Sequence, residues 1–224
     1  MPPFFGRALD TVLDLALPAT CPGCHREGPP ICDACAPALD ARLRSPPGTP
    51  IGLLSDLPAP LLQLEWCAPF AGVVRRALHV LKYGGERRLA GPLGAAIARR
   101  WSAAGVGGDV LVPVPVHEAR RRERGYDQAE LLAVVAAREL DLPMTVCLER
   151  TRATVAQFQL GRGERAGNVA AAFAVTAAGP AVMDGWVVLV DDVMTTGSTL
   201  AACARVLLDA GARSVSAVTM ARER

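Results

Sequence analysis

One stretch constrains this chain more than any other: Val187-Val188-Leu189-Val190-Asp191-Asp192-Val193-Met194-Thr195-Thr196-Gly197-Ser198-Thr199. It predicts an apolar strand over Trp186–Val190 that ends in two carboxylates. A hydroxyl loop around one glycine follows, then a helix from Leu200 to Ala210 with Gly211 as its C-cap. So apolar a strand is buried on both faces, which happens when helices cover a parallel sheet. The rest of the chain keeps the alternation. Helical spacing runs over Phe70–Lys82, Leu89–Trp101 and Gln128–Leu140, and short apolar runs at Val110–Pro115 and Ser214–Met220 predict strands. The fold class is therefore α/β, a parallel sheet flanked by helices.

Composition fits one full domain plus a small one. The chain has 224 residues, 51% of them hydrophobic but only 4% aromatic, so Val, Leu and Ala must fill the core. A formal charge of +2 points to no particular partner, and Arg120-Arg121-Arg122-Glu123-Arg124 is the one dense basic cluster. No apolar run is long enough to span a membrane, and Asp10 and Asp14 interrupt the N-terminal apolar positions, unlike a secretory h-region. An amphipathic N-terminal helix and a cytoplasmic location are expected.

Seven cysteines in such a chain suggest metal before disulfides. Cys21-Pro-Gly-Cys24 and Cys32-Asp-Ala-Cys35 can supply four thiolates to one structural Zn²⁺, with Gly23 easing the first knuckle. A closed thiolate shell leaves no open position for catalysis. Free thiols or a redox pair are the alternatives. Cys67, Cys147 and Cys203 lie apart in apolar sequence and read as inert core residues. Residues 1–45 thus form an N-terminal helix and zinc-binding lobe, 46–60 a Pro-rich linker, and 61–224 the main domain.

Ligands of open α/β sheets bind beyond the carboxyl ends of strands. Two loops qualify, after Pro115 and after Val190. Asp191 and Asp192 can accept hydrogen bonds from vicinal ribose hydroxyls. Thr195, Thr196, Gly197, Ser198 and Thr199, with the following helix N-terminus, can hold a 5′-phosphate, Gly197 letting the backbone come close. A capped helix alone would explain one acidic or hydroxyl residue, not this whole set. A P-loop would need a lysine after its glycines, and a dinucleotide fold would need three spaced glycines.

The run resembles the phosphoribosyl pyrophosphate (PRPP) signature of type I phosphoribosyltransferases. Together with the four cysteines, other pieces resemble the ComF family: Leu81-Lys82-Tyr83-Gly84, Val112-Pro-Val-Pro115, Arg124-Gly-Tyr-Asp-Gln-Ala129, Arg150-x-Arg152-x-Thr154-x-x-Gln157 and Arg165-x-x-Asn168-Val169-x-x-x-Phe173. That resemblance spans about residues 18–220. It implies a type I phosphoribosyltransferase-like sheet behind a small four-cysteine zinc lobe, PRPP with Mg²⁺ as ligand, and a link to DNA uptake. It also implies a pyrophosphate loop at Val116 and His117 whose backbone amides face phosphate. Lys82 and the arginines from Arg120 to Arg124 would add charge, and a mobile hood over Arg150–Arg165 would contain Gly161 and Gly163. Asp127 departs from the family's usual Asn, and a carboxylate beside pyrophosphate would weaken binding.

The acceptor is unassigned. Three function classes follow: an active phosphoribosyltransferase; a non-catalytic PRPP-sensing protein that handles single-stranded DNA; and an interaction module whose zinc lobe docks a helicase-like partner. A single-strand groove needs basic residues and stacking aromatics, for which Tyr126, Tyr83 and Trp101 are the candidates.

Overall fold

The structure is a computed structural model, which describes residues 18–47, 57–104, 107–151 and 172–223. The predicted N-terminal helix, most of the Pro-rich linker and nearly all of the hood segment lie outside these residues. No helix among the described residues is long and apolar enough to cross a membrane.

The elements, in chain order, are β1 (Ala19–Thr20), β2 (Glu27–Gly28), β3 (Leu64–Pro69), α1 (Gly72–Tyr83), α2 (Ala90–Ala103), β4 (Val110–Pro113), α3 (Glu118–Arg124), α4 (Gln128–Leu140), β5 (Leu148–Arg150), β6 (Phe173–Val175), β7 (Trp186–Met194), α5 (Ser198–Asp209) and β8 (Ser214–Arg222). The central sheet is parallel, in the order β3-β8-β7-β4, while β1-β2 and β5-β6 are small antiparallel pairs.

Strand alternation divides the core into two layers. Val188 and Val190 of β7 join Val218 and Met220 of β8 against Leu78, Leu93, Ile97 and Leu132. Val187 and Leu189 join Val215 and Ala217 against Leu200, Cys203 and Leu207 on the other face. Helix α4 matches its predicted bounds because Asp127 caps it, accepting from Ala129 and Glu130 N–H. Gly211 follows α5 with φ 97° beyond the C-cap Ala210, one step later than predicted.

Four elements lack a clear sequence signal. Strand β3 pairs in parallel with β8 and is buried over Leu64–Ala68, although it carries Glu65. Strands β5 and β6 are three residues each and lean on one another. Helix α3 takes up the arginine cluster, which is capped by His117 Nδ1 accepting from Ala119 N–H.

The four-cysteine lobe docks on the outer edge of the first layer. Arg76 of α1 donates to the carbonyls of Pro22 at 2.6 Å and Gly23 at 3.0 Å. Arg99 of α2 grips Asp40. Arg100 is buried: it meets Glu65 at 2.5 Å and donates to the carbonyls of Arg42 and Ser45. Arg42 stacks on Trp66, with its Cζ 3.5 Å from the ring centroid, and Arg222 lies 5.1 Å from the same ring. Cys67, Cys147 and Cys203 are buried, as expected of core cysteines.

Candidate functional site

Where β4 stops, β7 does not. Pro113 is the last residue of β4 and sits opposite Val190, while Asp191–Met194 continue beside β8 alone. The two carboxylates therefore lie inside a strand rather than just after one. Val114 N–H still reaches Val190 O, so the chains part immediately beyond it. A crevice at the carboxyl end of a parallel sheet is where such folds bind ligands.

The pleat sends the two acids to opposite faces. Asp192 continues the Val188–Val190 face and is buried there, 2.8 Å from Lys82 Nζ of α1. Lys82 is thus already paired with a carboxylate, and its charge is shared rather than wholly available to a phosphate. Asp191 turns the other way, and its Oδ1 accepts from Asp192 N–H at 2.8 Å. Burial, followed by the charge of Asp192, pushes the Asp191 carboxyl well above the usual range, while the Asp192 N–H and Lys82 oppose the rise.

The hydroxyl loop closes on itself. Thr196 Oγ1 lies 2.7 Å from Ser198 Oγ, and Thr195, Thr196 and Ser198 are exposed. Gly197 has φ 79°, and a Cβ there would sit 2.8 Å from Pro58 Cγ. The glycine is required by the left-handed backbone and by Pro58 of this same chain, not only by the approach of a ligand. Helix α5 begins at Ser198, earlier than predicted, and its first N–H, that of Ser198, donates to Thr196 Oγ1 at 3.4 Å within the loop.

The loop after β4 is tied back to the start of α4. Val116 N–H does not face outward: it donates to Asp127 Oδ2 at 2.9 Å. Asp127 Oδ1 accepts from Ala129 at 2.9 Å and Glu130 at 3.3 Å. A carboxylate suits this position because all three partners are donors. Burial nonetheless raises its pKa, against the pull of those N–H groups. A cavity of about 220 Å³ opens beside this loop, lined in part by Pro115, Val116, Arg121, Asp127, Glu149 and Arg150.

The basic cluster is largely spoken for. Arg121 pairs with Glu130, Arg122 with Glu118, and Arg124 donates to Gln128. Arg120 is exposed on α3. Among the aromatic candidates, Trp101 is buried and donates to Gly107 O, and Tyr126 is buried and donates to Leu81 O. Neither ring can stack on a base. Tyr83, 65% exposed, can: His79 lies 4.9 Å from its ring and Arg124 Cζ 4.9 Å from its centroid.

In the lobe, the Sγ atoms of Cys21, Cys24, Cys32 and Cys35 all lie within 4.8 Å of one another. A tetrahedral Zn²⁺ with Zn–S bonds of about 2.3 Å needs S–S edges of about 3.8 Å, so the four fit one ion. Cys21 falls to about 6: burial raises it, but N–H groups of Cys32, Cys24 and Gly23 outweigh burial. Burial and the neighbouring sulfurs push Cys35 up to about 12. A dication would relieve that conflict. Gly23 is needed for packing rather than for the turn, since a Cβ would lie 2.5 Å from Cys35 Sγ.

Residues 127–224 match the family model for the phosphoribosyl transferase domain. The chain is 30% identical over 212 residues to the DNA utilization protein YhgH of Escherichia coli K12, covering 91% of this chain and 89% of that one. The chain belongs to the ComF family. Competence protein F of Haemophilus influenzae is 34% identical over 115 residues, covering 51% of this ComF-family chain and 50% of that protein. Among solved structures, glutamine PRPP amidotransferase from B. subtilis, complexed with ADP and GMP, aligns with a TM-score of 0.40 and 24% identity. That alignment covers 57% of this chain and a quarter (25%) of the other. The architecture is a parallel sheet flanked by helices, phosphoribosyltransferase-like, behind a cysteine cluster.

Proposed function

We propose that this ComF-type protein binds PRPP with Mg²⁺ and transfers its phosphoribosyl group to an acceptor yet to be assigned. One observation carries the reading: Asp191 and Asp192 extend a parallel strand past its neighbour and run directly into a hydroxyl loop at a helix N-terminus. Asp191 and Asp192 accept from the ribose hydroxyls. Thr195, Thr196, Gly197, Ser198 and Thr199 hold the 5′-phosphate. Lys82 braces Asp192, and His117, Arg120 and Arg124 border the pyrophosphate side. Transfer breaks the bond between ribose C1 and a pyrophosphate oxygen and forms one to the acceptor. The protein's part is to fix the ribose, favour departing negative charge and exclude water. Mg²⁺ bound together with PRPP would supply positive charge against the pyrophosphate, beside Lys82, Arg120 and Arg124. A structural Zn²⁺ on Cys21, Cys24, Cys32 and Cys35 holds the lobe together. The names of its relatives, DNA utilization protein and Competence protein F, support a role in DNA uptake and natural transformation.

A second reading, a non-catalytic PRPP sensor that handles single-stranded DNA, is favoured by Tyr83. Its exposed ring, flanked by His79 and Arg124, is a stacking platform beside Lys82. Pyrophosphate release from PRPP, measured over a panel of nucleobases and amines, separates the two. Release with any acceptor supports transfer. Silence across the panel, with single-strand affinity that falls steeply with salt and drops in Y83A, supports the sensor.

A further inference from the structure

We propose that Asp127 is a latch on the loop after β4, one that weakens the hold on a ligand's pyrophosphate far more than the hold on its ribose 5-phosphate. The inference rests on the PRPP reading above. Asp127 is 6% exposed. Its carboxylate does two things at once. Oδ1 caps α4 through the N–H groups of Ala129 and Glu130. Oδ2 reaches back eleven residues to Val116 N–H at 2.9 Å.

The loop is pinned at both ends as well. Val114 N–H is bonded to Val190 O, and His117 Nδ1 accepts from Ala119 N–H. Val116 N–H is thus turned toward a carboxylate and withheld from any anion in the crevice. Asp127 then acts a second time through its charge. A diphosphate at Val116 meets a fixed negative group that accepts and cannot donate. The adjoining cavity does not offset this, since Glu118, Glu130 and Glu149 line it together with Arg121 and Arg150, and Arg121 is paired with Glu130. Among the described residues Asp127 makes no hydrogen bond to Asp191, Asp192 or the hydroxyl loop, and its charge reaches Asp191 only behind burial, Asp192, the Asp192 N–H and Lys82. Asp127 is a positioning residue, and its effect falls chiefly on one half of the ligand.

Two variants keep the helix cap and remove the latch. In Asp127→Asn the amide oxygen still caps α4, but the NH₂ group opposes Val116 N–H, donor against donor. In Asp127→Ser the hydroxyl caps as well and is too short to reach Val116. The experiment is calorimetric titration of the full-length protein and both variants with PRPP plus Mg²⁺ and, separately, with ribose 5-phosphate. Both variants are expected to bind PRPP about tenfold more tightly, as removal of a like charge at close range predicts. Ribose 5-phosphate affinity should change far less. A purely structural role would move both ligands together. The latch is overturned if both ligands bind and their affinity ratio is unchanged or lower in the variants. A gain in Asp127→Asn alone overturns it too, because the new amide donor then explains the gain. If neither ligand binds any of the three proteins, the PRPP reading has failed and the latch falls with it.

Discussion

The Cys21–Cys35 lobe and the end of β7 are both short segments dense in polar chemistry, but they are stabilised from opposite directions. The lobe owns little apolar surface: Ala19, Ile31 and Leu39 are its buried aliphatic side chains among the described residues. It is held by groups outside itself, chiefly Arg76, Arg99 and Arg100 of the main domain and the proposed zinc. The end of β7 is held by its own strand. Val187–Val190 are wholly buried, and that burial draws Asp192 into a low-dielectric setting and leaves Asp191 half-buried beside it, with its carboxyl pushed well above the usual range. One region needs added bonds to exist, and the other carries a polar cost imposed by its own burial. A binding site can be built in the second way because stored electrostatic conflict is released when donors arrive.

The largest expected effect tests the lobe. Metal chelation, or Cys21→Ser with Cys24→Ser, should abolish hydrogen-exchange protection over residues 18–47 and leave β7 and β8 protected. About one zinc per chain should be released, as a four-thiolate site predicts. Equal loss of protection in both regions would show that they are not separately stabilised.

A smaller effect tests the acids. Asp191→Asn keeps the acceptor for Asp192 N–H and removes the half-buried charge. Because the folded pKa of Asp191 is raised, folding favours its neutral form. The cost to stability is absent below the unfolded carboxylate pKa of about 3.9 and grows as pH rises toward the folded value. The variant should therefore melt a few degrees higher than the parent at pH 8, a gain that shrinks steadily on acidification. A variant that melts lower at pH 8 would mean that Asp191 is stabilised, not strained, in the ligand-free protein.

The same contrast explains what was legible in the sequence. The cysteine pairs and the Val187–Thr199 run are local patterns, so spacing alone located both. Helix α4 was legible to the residue because its cap and its apolar stripe are adjacent in the chain. Strand β3 was not, because Glu65 breaks its apolar run. Arg100, thirty-five residues away, pairs with that charge, and Gln63 donates to its other oxygen. Val116 and Asp127, Lys82 and Asp192, and Gly197 and Pro58 are likewise contacts between distant segments. No reading of spacing finds such pairs. The exposure of Tyr83 and the burial of Tyr126 and Trp101 also depend on how α1 and α2 meet the rest of the domain.

The most direct measurement of the central proposal is calorimetric titration of PRPP with Mg²⁺ into the parent protein and into the double variant Asp191→Ala, Asp192→Ala, with folding checked by circular dichroism. The account predicts saturable binding to the parent at about one ligand per chain and none to the folded double variant, since both ribose acceptors are gone. Equal affinity in the two would place the sugar phosphate elsewhere and contradict the assignment.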